Sequence, residues 1–151
     1  MSKDRLSVEI DIGSRFENID LVDTLAEEVL RHVGFDDRGV ERMGLAIREA
    51  VANGVQHGNG EDPAKRVGIS FVFEEEEVTV RISDQGQGFD LESLPDPLDP
   101  ENLFKPRGRG ILLMNSFMDG VDYVFNPQGG TVVKLRKKIN ANGTDEKEDV
   151  G

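Results

Sequence analysis

The sequence predicts a two-layer α/β sandwich: a five-stranded mixed or antiparallel sheet with helices on one face. Two features carry that reading. Five short segments alternate apolar and polar residues, so each offers one face to a core and one to water. Two longer segments near the front of the chain repeat apolar residues at helical spacing, and their stripes can cover one side of such a sheet. At 151 residues the chain has single-domain length and can bury a core without staples.

The first strand is "LSVEIDI", residues 6–12, with Leu6, Val8, Ile10 and Ile12 on one face. Residues 16–33 then switch to helical spacing: Phe16, Ile19, Val22, Ala26, Val29 and Val33 form a stripe, and Gly34 ends it. A second helix starts at Asp36 or Asp37, either a favourable N-cap. Its stripe is Val40, Met43, Ile47, Ala50, Val51 and Gly54. Alternation returns at 67–73 and 78–82, joined by "EEEE" at 74–77 as a solvated hairpin turn. A short apolar helix is expected near 110–118. Strands at 121–125 (Val121, Tyr123, Phe125) and 131–137 (Thr131, Val133, Leu135) follow, joined through "NPQGG". Residues 1–139 form the domain. Residues 140–151 are polar and without periodicity, and are expected to be a disordered acidic tail.

The chain has no cysteine and a net charge of -12. The first excludes disulfides, thiolate zinc sites and cysteine nucleophiles, and fits a reducing cytoplasm. The second repels nucleic acid, so no direct nucleic-acid binding is expected. It favours partners with basic patches, or ligands whose charge a metal screens. No apolar run approaches the ~18 residues needed to span a membrane, and the charged start "MSKDRLSVEI" is not followed by the apolar stretch of a secretory signal.

Two glycine clusters stand out. "SDQGQGFD", 83–90, follows a strand, and "KPRGRGILLMNSFMDG", 105–120, opens a helix. Between them a long loop holds Pro95, Pro97, Pro100 and Pro106, a composition that forbids a helix interior or a central strand. A loop of that length is functional, disordered or a plain surface insertion. Neither cluster completes GxGxxG in the right context, and no GxxxxGK[ST] occurs, so neither a dinucleotide fingerprint nor a P-loop is present. What remains is backbone that a flat or charged ligand can approach closely. A helix starting at Gly110 would aim free N–H groups at that spot, with Arg107 and Arg109 beside it, which suits phosphate.

The third feature is "REAVANGVQHGNG", 48–60. Glu49, Asn53 and Gln56 lie roughly opposite the apolar stripe of their helix, so a solvated face is the plain reading. Around a metal-bound nucleotide they gain a purpose. An amide oxygen is a hard neutral donor suited to Mg²⁺, and a carboxylate one turn away could orient or deprotonate an attacking hydroxyl.

In "EAVAN...HGN" the chain resembles the N box of the GHKL ATPase superfamily; "DQGQGF" and "GRGILLM" resemble its two glycine boxes, and "GGTVVKLRK" its closing strand. The order and spacing are most similar to the bacterial anti-sigma-factor serine kinases, over roughly residues 6–138. The resemblance implies a Bergerat-type fold, ATP or ADP as ligand, and Mg²⁺ as cofactor. By that resemblance Asn53 is the Mg²⁺ ligand and Glu49 the catalytic base. Asp84 would accept a hydrogen bond from the adenine amino group, with Thr131 supporting the same ring. Gly86 and Gly88 would let adenine approach. Arg107, Gly108, Arg109 and Gly110 would hold the phosphates, residues 89–107 would form a lid, and His57 would belong to the surrounding shell. The resemblance further implies a homodimer acting on a sigma factor and an anti-anti-sigma protein.

Three functions compete. One is a serine/threonine kinase that phosphorylates an anti-anti-sigma partner and sequesters a sigma factor. Another is a nucleotide-binding regulatory module without phosphoryl transfer. A detached histidine-kinase catalytic domain is disfavoured: the only histidines are His32 and His57, and no two-helix dimerisation segment precedes the first strand.

Overall fold

The computed structural model describes residues 5–86, 116–125 and 129–139. Its sheet contains β1 (Leu6–Gly13), β2 (Arg66–Glu74), β3 (Glu77–Ser83), β4 (Gly120–Phe125) and β5 (Thr131–Lys138) in the order β1-β2-β3-β5-β4. Every pairing is antiparallel, which resolves the mixed-or-antiparallel expectation. The inward faces are the expected ones: Val67, Ile69 and Phe71 on β2, Val78, Val80 and Ile82 on β3, and Val133 and Leu135 on β5 are all buried. On the edge strand β1 only Ile12 is buried.

Two helices cover that face. Helix α1 (Glu17–Val33) buries Ile19, Val22, Ala26 and Leu30. Its stripe therefore runs through Leu30, which the sequence reading left out. Phe16, the expected start, stands 46% exposed, because the helix begins one residue later and turns that side chain off the sheet. The helix closes as expected at Gly34, whose φ of 111° is left-handed. The amides of Gly34 and Phe35 return to the carbonyls of Arg31 and Leu30 at 3.1 Å each, the paired bonds of a Schellman motif.

Helix α2 (Asp37–Asn53) is capped by Asp36, whose carboxylate accepts from the Gly39 amide at 2.8 Å. The stripe Val40, Met43, Ile47, Ala50 and Val51 is buried as expected, with Ala46 added. Arg48 ties α2 to α1 through Asp20 and Asp23. After Asn53 the chain widens into one turn of π-helix, Gly54–Gly58, in which the Asn59 amide donates to the Gly54 carbonyl at 2.8 Å. The helix thus loosens in place before the chain turns toward β2.

Three further expectations shift. The turn between β2 and β3 is Glu75–Glu76 alone, with Glu74 and Glu77 paired across it. On β4, Val121 and Tyr123 pack against the core but Phe125 is 43% exposed, since the edge strand runs past the cover of the helices. Of the helix expected near 110–118, Ser116 and Phe117 are helical and Met118 is buried; the Arg42 guanidinium lies 5.7 Å from the Phe117 ring centroid. The rest of that helix, the loop before it and the tail at 140–151 lie outside the described residues.

Candidate nucleotide site

The expected site residues that the structure describes converge where α2 ends, β3 ends and β5 begins. Asp84 follows β3 directly, and Thr131 opens β5. The two residues pair: the Asp84 amide donates to the Thr131 carbonyl at 3.0 Å, and the Thr131 amide donates to Asp84 Oδ1 at 3.2 Å. The Gly86 amide donates to the same Oδ1 at 3.0 Å. Asp84 is half-buried, and burial raises its carboxyl above the ordinary range, against the opposing pull of those two amides and of Lys65. Thr131 is buried, and its Oγ1 has no hydrogen-bond partner among the described residues. A buried hydroxyl costs free energy unless something bonds to it. Together, an acceptor carboxylate and an idle hydroxyl suit the polar edge of a bound ring.

The end of α2 presses onto this corner. A Cβ placed on Gly54, the residue after Asn53, would lie 3.8 Å from Asp84 Cβ, so the chain leaving α2 packs beside Asp84. Glu49 sits one turn earlier. Neither Glu49 nor Asn53 is on a fully solvated face, contrary to the helical-wheel placement; both are half-buried, as is Gln56. The water-facing side of this part of α2 carries Glu41, Leu45 and Arg48 instead. Burial raises the Glu49 carboxyl above the ordinary carboxylate range, with Arg48 pulling the other way. The same Glu49 charge, after burial, raises the Tyr123 phenol on β4. Tyr123, which the sequence reading treated only as a strand residue, thus feels the charge of Glu49. His57, expected in the shell, is exposed.

Close packing explains the glycines here. A Cβ on Gly58 would fall 2.3 Å from Asp84 Oδ2, and one on Gly86 would fall 1.5 Å from the Gly58 carbonyl oxygen. One on Gly130 would fall 2.5 Å from the Asp84 carbonyl oxygen. At Gly86 the missing side chain therefore makes room for the π-turn, a packing reason beside the ligand approach expected of it. Gly54 differs, because a methyl there would meet only ordinary contacts at 3.6–3.8 Å.

Asn59 ends the quoted "HGN" and is the residue to which sequence reasoning gave no role. Its Nδ2 donates to Ser14 Oγ at 2.7 Å and to the Arg66 carbonyl at 2.9 Å, and its Oδ1 accepts from the Gln85 amide at 2.8 Å. In the sequence it reads as an ordinary turn residue between two glycines, and no periodicity marks it.

The described residues fit a magnesium-bound nucleotide in part. No three His, Asp or Glu side chains converge among them, so a cation at the end of α2 would have the Asn53 amide as protein donor and draw its other ligands from phosphate and water, as Mg²⁺ commonly does. Gly88, Arg107, Gly108, Arg109, Gly110 and the lid at 89–107 lie outside the described residues. A groove of about 460 Å³ between α1 and α2, lined by Asp23, Glu27, Arg31 and Arg48 among others, shares no residue with this site. No described helix is long and apolar enough to cross a membrane.

The chain is similar to known proteins along most of its length. The chain is 25% identical over 148 residues to the serine-protein kinase RsbW of Oceanobacillus iheyensis, covering 94% of this chain and 92% of that protein. It is 29% identical over 135 residues to the serine-protein kinase RsbW of a Bacillus cereus strain, covering 85% and 83%. A solved structure of the RsbU and RsbW domains of a Mycobacterium tuberculosis protein superposes with a TM-score of 0.66 at 18% identity, over 88% of this chain and 32% of that one, which supports the fold. Residues 12–137 match the family described as the histidine kinase-like ATPase domain, and with nearly the whole folded chain inside that match, the protein belongs to that family.

Proposed function

We propose that this chain is an ATP- and Mg²⁺-dependent protein serine/threonine kinase of the anti-sigma type, which phosphorylates an anti-anti-sigma partner and sequesters a sigma factor. The observation that carries the reading is the Asp84–Thr131 corner: an acceptor carboxylate and a buried, idle hydroxyl beside the end of the helix that bears Glu49 and Asn53. Similarity to serine-protein kinases along most of the chain supports the reaction class.

In this reading Asp84 accepts from the adenine amino group, and Thr131 donates its hydroxyl to the same ring. Asn53 holds the magnesium ion, which when bound screens the phosphate charge and orients the γ-phosphoryl group. Glu49 takes the proton from a seryl hydroxyl as its oxygen bonds to the γ-phosphorus. The bond from that phosphorus to the β–γ bridging oxygen breaks, and ADP leaves. A carboxyl raised by burial is a better proton acceptor than a solvated one, nearer the pH at which it must work. Gly86 and Gly88 let the adenine ring approach, and Arg107, Gly108, Arg109 and Gly110 carry the phosphate contacts in this reading. The net charge of -12 suits capture of a basic protein surface. The protein works in the cytoplasm as a homodimer. Nucleotide state selects the partner only through its different affinities for the two complexes.

The test is incubation with γ-labelled ATP, Mg²⁺ and the anti-anti-sigma proteins of the same genome, with Asn53→Ala run in parallel. Label on a seryl or threonyl residue is expected with the natural chain and none with the variant. In a thermal melt, Mg-ATP at a hundredfold its Kd is expected to add roughly 2.7 kcal/mol to the natural chain and far less to Asn53→Ala. An Asn53→Ala chain with the full shift removes the metal assignment. Binding without any transfer returns the reading of a non-catalytic regulatory module.

A further inference from the structure

The buried polar residues of the described fold are Ser14, Asn59 and Thr131. Ser14 and Asn59 bond to each other and hold Gln85, the chain neighbour of Asp84, and the backbone of Thr131 pairs with Asp84. Ser14, just after β1, donates its hydroxyl to the Lys65 carbonyl at 2.8 Å and accepts from Asn59. Asn59 also holds the start of β2 through the Arg66 carbonyl and, on its other side, the Gln85 amide. Gln85 returns its own side-chain oxygen to the Arg66 amide. Next to Gln85 stands Asp84, held by the amides of Gly86 and Thr131.

This arrangement asks for an asparagine. Two donated bonds and one accepted bond leave from a single planar amide. An alanine would remove at once the donor to Ser14 Oγ, the donor to the Arg66 carbonyl and the acceptor for the Gln85 amide. An aspartate would keep the acceptor for Gln85 and lose both donors. Both described bonds to the Asp84 carboxylate end on Oδ1, and Gly58 lies against Oδ2. The direction in which that carboxylate faces a ligand is therefore set by three segments: the π-turn, residues 84–86 and, through the Thr131 amide, the start of β5. Asn59 is the side chain that fastens the first two to each other.

We infer that Asn59 is a positioning residue for purine recognition: by clamping the Gln85 amide to the π-turn it fixes Asp84 so that the site prefers a 6-amino purine over a 6-oxo purine. The inference rests on the nucleotide reading above. Asn59 touches no nucleotide in it and acts through Asp84.

The experiment measures Kd for Mg-ATP and Mg-ITP with the natural chain, Asn59→Ala and Asn59→Asp, each at a temperature where circular dichroism shows it folded. Inosine carries an oxygen where adenine carries the amino group. A hydrogen bond to a charged acceptor predicts that the natural chain prefers ATP by about 10- to 100-fold. In Asn59→Ala that preference is expected to fall to within about threefold, mainly through weaker ATP binding, since the lost discrimination is that one bond. Asn59→Asp is expected to melt lower yet keep most of its preference, because it still accepts from Gln85. A merely structural role would lower the melting temperatures and leave the ATP:ITP ratio alone. An unchanged ratio in folded Asn59→Ala overturns the inference, and so does loss of the ratio in folded Asn59→Asp, which decides the matter if the alanine variant does not fold. A natural chain that binds neither nucleotide instead overturns the nucleotide reading itself. One that binds both equally shows that Asp84 does not read the amino group and overturns the inference.

Discussion

At its first end β3 leaves the two-residue turn Glu75–Glu76, with both residues exposed and both at positive φ, 52° and 60°. At its last end it runs into Asp84–Gly86, where Gly86 is buried, three of the described backbone and side-chain bonds converge on Asp84, and a methyl group on Gly86 would overlap a backbone oxygen. The same strand thus carries strain that water tolerates at one end and close packing that admits no side chain at the other. A hairpin turn has only to reverse the chain, and two glutamates manage this at some cost in left-handed conformation. The other end has to hold a carboxylate in a fixed direction, and it does so by docking against the π-turn after α2. Substitutions should therefore act oppositely at the two ends: damage near Asp84 should reach ligand binding, and repair at Glu75–Glu76 should change stability alone.

The largest effect is expected at Gly86→Ala. Its Cβ would lie 1.5 Å from the Gly58 carbonyl oxygen, and neither backbone segment can yield without pulling Asp84 from Thr131. Overpacking costs about 1–3 kcal/mol and more where backbone must move. A loss near 3 kcal/mol would lower the melting temperature by roughly 10 °C, and the stabilisation by Mg-ATP should shrink with it. A Gly86→Ala chain that melts normally and binds ATP normally would mean that the two segments are not docked as described.

How far these contacts were legible in the sequence differs between the two ends. The hairpin could be read from alternation on both sides of a charge run, and only its length was off by a residue at each side. The inward faces of β2, β3 and β5 and the stripe of α2 were equally plain, because burial on one face forces a period. The edges were not: Phe16 and Phe125 fall on the right period but past the reach of the opposite layer, so their exposure is a tertiary fact. At the site, Glu49, Asn53, Asp84 and Thr131 could be named from boxes. Their surroundings could not. Gly86 reads as a ligand-facing glycine, and nothing local shows that it also clears Gly58, which is 28 residues away in the chain. Asn59 bonds to Ser14, Arg66 and Gln85, and bonds between such separated segments leave no local pattern.

Glu49→Gln should show a smaller effect on the fold and a large one on transfer. Replacing the proton acceptor is expected to slow phosphoryl transfer about 10²–10⁴-fold while Mg-ATP still binds. For stability the sign is the reverse of the usual carboxylate case. Burial raises the Glu49 carboxyl in the folded chain, so between its ordinary and its raised titration range the folded state holds more protons than the unfolded one. Stability from this group therefore falls as pH rises through that window and stays lower above it. Gln carries no charge to bury, so the variant should melt higher than the natural chain at neutral pH, with the difference closing below the ordinary glutamate range. The acid limb of kcat/KM for the natural chain should likewise lie above the ordinary carboxylate range, because Glu49 must be ionised to accept the proton. A variant that melts lower at neutral pH would show that the Glu49 charge is stabilised in place, and the half-buried base would lose its physical basis.

The smallest effect belongs to the far end of β3. Glu75→Asn with Glu76→Gly places at the turn the residues that tolerate positive φ, and relief of one unfavourable left-handed residue is worth about 1 kcal/mol. The Ile139 amide still has the carbonyl of residue 76 to donate to, since that bond is made by backbone. The double variant should therefore melt a few degrees higher, while its ATP affinity and its ATP:ITP ratio stay as in the natural chain. The two ends are joined by the whole length of β3, Glu77–Ser83, whose inward side chains are fixed in the core. If tightening the turn changed nucleotide affinity, that strand would be transmitting strain to Asp84, and the separation between a tolerant end and a demanding end would fail.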